Sequence, residues 1–320
     1  MVSLPVFNPN KSGEAQPEAL RNNVTQSVYE LGSTFKPLAM ANAIESGVVT
    51  NLARRFDATE PVSVGPFKIK DDHPQRRWLN IPEALVHSSN IVTARVADEV
   101  GKEKSEAFYK RLGFHEPAHV ELRERGRTLW PTSWGRASNM TIAYGHGMAV
   151  TPLHLASAYA AMINGGIWRP ATLLKVPAGE AAKGRRVFSP RTSDLMRKML
   201  RLIVLEGTGK NAGVAGFRVG GKTGTAEKPG VGGYSKTVNV STFAGAFPMD
   251  APRYVVIAML DSPKGSAASS GQTTAAYTAA PVVAKVIART GPMLGVYPDQ
   301  AKEVDLADML PLLWKAPGDN

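Results

Sequence analysis

Two polar side chains near the amino terminus, Ser33 and Lys36 in "GSTFK", have the spacing of a nucleophile and its base. On a helix, residues three apart lie on the same face, so the Lys36 amine can reach the Ser33 hydroxyl. Serine attacks only when a base takes its proton, and a lysine in a dry site beside another cation has a lowered pKa and can be that base. A simple helix-capping serine is the alternative for Ser33, because S-x-x-K is common.

A second polar cluster, "HSSNI", contains Ser88, which lies 55 positions after Ser33 (88 − 33), and Asn90. It supplies a second hydroxyl and an amide. Taken in isolation, the cluster is more simply explained as a turn before a helix.

A third cluster, "GFRVGGKTGTAEK", fits the phosphate-binding pattern G-x-x-x-x-G-K-[ST] through Gly216, Gly221, Lys222 and Thr223. A phosphate-binding loop must open directly into a helix, whose amino terminus helps to hold the anion. The residues that follow are rich in glycine and include Pro229, which would break the first turns of such a helix. The pattern therefore does not predict a nucleotide site.

We expect instead that Lys222, Thr223, Gly224 and Thr225 lie on a strand. Gly224, without a side chain, would let an extended peptide approach the backbone, and the peptide could add main-chain hydrogen bonds to the strand. The lysine and the two hydroxyls would then bind its carboxylate. This interpretation predicts a peptide site, with Lys222 as the cation near Lys36.

The elements that must position these clusters change in character along the chain. Apolar recurrence at three and four residues predicts a helix from Gly32 to Gly47 and a mostly helical region over about 78–165. Three β-rich runs then predict neighbouring antiparallel strands, and a helix follows at about 270–290. The sequence thus predicts an α/β (α+β) fold, an antiparallel sheet flanked by helices with a mostly helical subdomain. The predicted boundaries are a connector at 1–28, a catalytic domain at 29–320, a helical subdomain at about 60–165, and the sheet and last helix at about 215–290.

Composition narrows the classes of function. No apolar run approaches the roughly 18 residues of a membrane span, and "MVSLPVFNPN" does not have the pattern of a signal peptide, which suggests either a cytosolic protein or an excised ectodomain. The absence of cysteine excludes a cysteine nucleophile and thiolate metal sites, and Pro117 separates His115 from His119, so we predict neither a metal nor a cofactor. A net charge of +11 would suit an anionic partner, but the basic residues are scattered without interleaved aromatics, which argues against nucleic acid.

The three clusters together are far more specific than any one of them. S-x-x-K, S-x-N and K-T-G occur in that order, the third 189 positions after the first (222 − 33), which is the order in penicillin-recognising serine enzymes. The sequence resembles the transpeptidase domain of class B penicillin-binding proteins through "YELGSTFKP", "HSSNI", "YGHGMAVTPLHLASAYAAMINGG", "LEGTGKNA" and "VGGKTGTAEK". Its flanks are most like the division-specific (septal) D,D-transpeptidases of the penicillin-binding protein 3 type, with an elongation-type enzyme as the alternative. Leu31 stands where the family usually has proline.

This resemblance implies a role for each polar residue. Ser33 would attack the penultimate D-alanine carbonyl of a D-alanyl-D-alanine stem peptide, with Lys36 as general base and Ser88 returning a proton to the leaving amine. The residues that would bind the substrate are Asn90, Lys222, Thr223, Gly224, Thr225 and Tyr234. The backbone N–H groups of Ser33 and Thr225 would form the oxyanion hole.

The resemblance also implies partners and a location. These are peptidoglycan stem peptides and β-lactam antibiotics, together with a glycosyltransferase and division-complex membrane proteins reached through N-terminal parts that would precede residue 1. The expected location is the periplasmic face of the bacterial inner membrane. A β-lactamase is disfavoured because Ser89 replaces the acid of S-D-N, and no E-x-x-L-N segment is found. A D,D-carboxypeptidase and a non-catalytic β-lactam sensor or division scaffold stay open.

Overall fold

A computed structural model describes residues 1–177, 179–230 and 233–314. Its α-helices are α1 (Lys36–Glu45), α2 (Ile81–Val86), α3 (Asn90–Val100), α4 (Lys102–Arg111), α5 (Arg136–Ile142), α6 (Pro152–Ile163), α7 (Pro190–Glu206) and α8 (Ala279–Thr290). Its strands are β1 (Phe56–Asp57), β2 (Val62–Val64), β3 (Phe67–Ile69), β4 (Trp78–Leu79), β5 (Ile167–Trp168), β6 (Arg185–Arg186), β7 (Gly220–Gly230), β8 (Gly233–Phe247) and β9 (Tyr254–Asp261). Within the described ranges, no helix combines the length and apolarity needed to cross a membrane.

The main sheet is antiparallel, in the order β7-β8-β9, as the three β-rich runs predict. Side chains of a strand alternate between two faces, and here both faces are buried. On β8, Ala244 and Ala246 join the large core with α1, α6 and α7, whereas Phe243 and Phe247 join a second core with α8. The sheet therefore lies between two helical layers, and the predicted α+β architecture is confirmed.

The first helix follows the sequence prediction with one refinement. Gly32–Phe35 is a 3-10 turn, and the α-helix proper begins at Lys36, with Pro37 in its first turn, where the missing N–H breaks no helical bond. The helix ends before Gly47, whose φ of +73° is a conformation that favours glycine. Phe35 anchors this element in the core, with its ring centroid 5.6 Å from that of Phe114.

The last helix is shorter than predicted. It begins at Ala279 instead of near 270, because Ala267–Ser269 forms a separate 3-10 turn and the backbone then reverses through Ser270 and Gly271, both with positive φ. The division into a connector at 1–28, a catalytic domain at 29–320 and a helical subdomain stays a prediction.

Helix α2 is anchored by a buried carboxylate. Glu83 has no exposed surface; it forms a reciprocal capping box with Asn80 and accepts hydrogen bonds from Arg77 Nη1 at 2.6 Å and Trp314 N at 3.0 Å. Arg55 Nη1 lies 3.5 Å from the same side chain. Since buried charge is costly unless paired, these contacts fix the start of the helix that leads to Ser88.

Candidate active site

Ser33 is half-buried and lies in a turn that contacts strand β7 of the main sheet. The N–H of Gly32 donates to Gly145 O at 3.1 Å, and the φ of Gly32 is +53°. A Cβ on Gly32 would come within 2.9 Å of Thr225 O, and a Cβ on Gly224 would overlap Leu31 O and lie 3.0 Å from Thr34 N. The two glycines therefore allow β7 to lie in backbone contact with the nucleophile's turn.

Lys36 connects the first and second clusters. Its side chain is buried, and Nζ donates to the carbonyl oxygen of Ser88 and, at 3.0 Å, to Ser88 Oγ. Ser88 has a φ of +58° at the bend between α2 and α3. Among the hydrogen bonds of the described residues, none joins Lys36 to the Ser33 hydroxyl, so the amine contacts the second serine where the sequence predicts the first.

The remaining second-cluster residues are held by the segment after β3. Ser89 caps α3 by accepting from Val92 N at 3.1 Å, and its hydroxyl donates to Asp71 Oδ2 at 2.8 Å. Asn90 Nδ2 donates to Lys70 O at 2.9 Å. This bond orients the Asn90 amide and leaves its oxygen as an acceptor for a substrate N–H.

The third cluster lies on β7, as expected, with Lys222 fully buried. Its Nζ donates to Thr223 O at 3.0 Å, Thr223 Oγ1 at 3.2 Å and Thr208 Oγ1 at 3.4 Å. Burial lowers the pKa of Lys222 well below its usual value, and the nearby positive charge of Lys36 lowers it further. A bound carboxylate would offset both effects, which makes this place attractive to an anion.

Thr225 is held from the opposite side of the strand. Its Oγ1 accepts the N–H of Ala275 at 3.1 Å, so the hydroxyl proton is left to donate to a ligand. The oxyanion hole assigned to the N–H groups of Ser33 and Thr225 stays a prediction.

Tyr234 lies at the start of β8 and is 48% exposed. Its hydroxyl donates to Glu30 Oε1 at 3.0 Å, and its ring packs edge-on against His146, with centroids 5.6 Å apart. Glu30 also accepts from Gly147 N at 2.7 Å and lies 3.2 Å from His146 Nδ1. Tyr234 thus attaches the start of β8 to the segment that precedes Ser33. Its role as a wall of the acyl pocket stays a prediction.

Three residues of this site were not singled out from the sequence: Glu30, Asp71 and Thr208. Glu30 and Thr208 lie inside stretches that carry the resemblance, "YELGSTFKP" and "LEGTGKNA", but no chemistry identified them. Asp71 lies in "KDDHP", outside all three clusters, and only the folded chain shows that its carboxylate meets Ser89.

The two histidines with i,i+4 spacing, His115 and His119, lie outside this site. His119 bonds Glu116 at 2.9 Å, and His115 packs edge-on against Trp130. In the part of the chain that the structure describes, no three His, Cys, Asp or Glu side chains are grouped to hold a metal ion.

Comparison with known proteins decides the family. Residues 1–287 match the family described as the penicillin binding protein transpeptidase domain. The chain belongs to this penicillin-binding protein family. A relative from Caulobacter vibrioides, called a probable peptidoglycan D,D-transpeptidase FtsI, is 43% identical over 92% of this chain and 52% of its own length. The chain thus spans about half the length of the curated relatives it matches.

Solved structures of the penicillin-binding protein family have the same fold. The transpeptidase domain of penicillin-binding protein 3 from Burkholderia pseudomallei superposes with a TM-score of 0.80 at 31% identity, covering 88% of this chain and 84% of that one. Penicillin-binding protein 3 from Mycobacterium tuberculosis, in complex with aztreonam, gives 0.81 at 27% identity, covering 92% and 69%.

The buried amine predicts a pH dependence for acylation in this penicillin-binding protein. Burial lowers the pKa of Lys36 to about 7, although the charges of Asp71 and Asp72 oppose the shift. The sequence predicts that Lys36 is the base, and a base must be unprotonated, so we expect acylation by penicillin to be constant above about pH 8 and to slow roughly tenfold per unit well below pH 7. Rapid-quench measurement of the second-order rate between about pH 5.5 and 8.5 checks this, and a flat profile would contradict it.

Proposed function

We propose that this chain is the transpeptidase domain of a septal peptidoglycan D,D-transpeptidase that works through an acyl-enzyme on Ser33. One observation carries the proposal: buried Lys36 donates to Ser88, while the turn of Ser33 contacts the strand that presents Lys222. These contacts bring Ser33, Lys36, Ser88 and Lys222 together from positions far apart in the chain, which supports their proposed roles as nucleophile, base, proton shuttle and anion-binding lysine.

The proposed reaction begins with the free amine of Lys36 taking the hydroxyl proton of Ser33, directly or through Ser88. Ser33 Oγ then bonds to the penultimate D-alanine carbonyl carbon, and the N–H groups of Ser33 and Thr225 stabilise the oxyanion. As the C–N bond breaks, Ser88 passes the proton from Lys36 to the nitrogen of the departing D-alanine. What remains is an ester between the stem peptide and Ser33.

In the second half, the amine of another stem peptide attacks the ester carbonyl. It gives up a proton to Lys36, a new amide forms, and the Ser33 oxygen leaves and regains its proton. Asn90 would orient the donor peptide, and Lys222 with Thr223 and Thr225 would bind the terminal carboxylate before the D-alanine departs. Exclusion of water from the ester favours transfer over hydrolysis.

β-Lactams would present their amide and carboxylate to the same groups and leave Ser33 acylated. The septal assignment draws on the 43% identity with the Caulobacter relative. With it we propose a location at the periplasmic face of the inner membrane, with a glycosyltransferase and division-complex proteins as partners of the whole protein.

Intact mass spectrometry after exposure to benzylpenicillin tests the proposal. We expect a stable adduct of one penicilloyl group, located on Ser33 by peptide mapping. Rapid release of free penicilloate would instead indicate a β-lactamase. Incubation with lipid-linked precursor then separates the remaining activities: cross-linked product indicates a transpeptidase, hydrolytic loss of D-alanine a carboxypeptidase, and neither a sensor or scaffold.

A further inference from the structure

The carboxylate of Asp71 is buried beside the second cluster and has no role in the proposed reaction. Its side chain is 8% exposed, and it follows the two-stranded ribbon β2–β3. Oδ2 accepts the Ser89 hydroxyl at 2.8 Å, and Oδ1 accepts the N–H of Ile91 at 2.9 Å. Each oxygen therefore holds one side of Asn90.

The neighbouring residue completes the attachment, because Lys70 O accepts Asn90 Nδ2 at 2.9 Å. Three consecutive residues of the second cluster are thus bonded to two consecutive residues after β3. Ser88, whose oxygens receive the Lys36 amine, directly precedes the attached residues. A change in these bonds would move both the amide of Asn90 and Ser88, the residue that accepts hydrogen bonds from Lys36.

Charge gives Asp71 a second connection to the site. The charged groups that act on Lys36 from the elements around it are Asp71 and the exposed Asp72, both after β3, while Lys222 on β7 interacts with the same amine. Of the two acids, only Asp71 is buried, and solvent and salt screen a buried charge less than an exposed one.

We propose that Asp71 is a positioning residue for this reaction: it fixes the second cluster through Ser89 and Ile91, and its negative charge acts on the Lys36 amine. The inference rests on the proposed function, since it assigns Lys36 as the base. Among the hydrogen bonds of the described residues, none joins Asp71 to Ser33, and Asp71 acts through the groups it holds.

Two variants separate the charge from the attachment. Asp71→Asn keeps the shape and removes the charge, so we expect the acid limb of the penicillin acylation profile to move about one pH unit lower. Ser89→Ala removes the hydroxyl and keeps the charge, so the limb should stay near pH 7 while the plateau rate falls about tenfold. A purely structural role would lower the plateau in both variants without moving either limb.

Each variant has a matched control elsewhere in the chain. Asp57→Asn removes a hydrogen-bonded carboxylate at β1, and Ser189→Ala removes the N-cap of α7, as Ser89→Ala removes that of α3. Both controls should acylate like the wild type, with thermal unfolding used to verify that all variants fold.

An unmoved acid limb in folded Asp71→Asn overturns the inference. If that variant fails to fold, Ser89→Ala decides, because a wild-type plateau would show that the attachment to Asp71 is not needed. Failure of the proposed function looks different, since the wild-type chain itself would then carry no adduct on Ser33.

Discussion

Acylation by benzylpenicillin is expected to disappear in Ser33→Ala and to slow about 10³-fold in Lys36→Ala. The first variant lacks the atom that bonds to the acyl group. The second keeps that atom but lacks the amine that would take its proton. The Ser88 oxygens, which accept hydrogen bonds from Lys36 Nζ in the wild type, also lose this partner. The residual rate in Lys36→Ala should also lose its acid limb near pH 7, because that limb belongs to Lys36. Rapid-quench acylation kinetics measure both effects.

Lys110→Ala is the matched control for the lysine variant, since it removes an exposed lysine that pairs with Glu106 on α4. It should acylate at the wild-type rate. A Lys36→Ala protein that acylates within a few-fold of the wild type would exclude Lys36 as the base, and a Ser33→Ala protein that still carries penicilloyl would exclude Ser33 as the nucleophile.

The free energy of unfolding is expected to fall by about 3–5 kcal/mol in Glu83→Ala. The loss leaves Arg77 without its 2.6 Å partner, removes the capping box of α2 and frees the backbone N–H of Trp314. The loss costs more than that of an exposed pair because Arg77, whose side chain is only 20% exposed, is left with little solvent to replace its partner. Denaturant unfolding followed by circular dichroism measures the change.

Glu99→Ala provides the comparison, because Glu99 pairs with Arg54 at 2.9 Å and both side chains are well exposed. Its loss should cost no more than about 1 kcal/mol. Glu83→Gln, which keeps the size of the side chain, should fall between the two. Equal stability of Glu83→Ala and Glu99→Ala would contradict the role assigned to the buried carboxylate.

The sequence was sufficient for the architecture and for most of the proposed site residues. The alternation of side chains along a strand, and the glycines and proline after Lys222, were enough to predict a strand there and to exclude a phosphate-binding loop. Both conclusions depend only on residues that are neighbours in the sequence. The order of the three clusters supplied the family. The predicted start of the last helix, near residue 270, was less accurate. The backbone reverses at Ser270 and Gly271, and the helix begins only at Ala279.

Contacts between distant segments were not predictable in this way. The bond from Lys36 to Ser88 and the carboxylate of Asp71 beneath Ser89 depend on how α1, α3 and the segment after β3 pack. Glu30 shows the same limit, because an acid three residues before the nucleophile gives no sign that Tyr234 and Gly147 will donate to it.

The close backbone contact between Gly224 and the turn at Leu31 also bears on when the site forms during folding. The two positions are 193 residues apart (224 − 31), and the partner of the Gly32 N–H, Gly145, comes 113 residues after it (145 − 32). Contacts of such separation form late, after the entropy of closing long loops has been overcome. In the folding chain, Ser33 therefore reaches its place against β7 only after these long loops have closed, so the proposed site forms late.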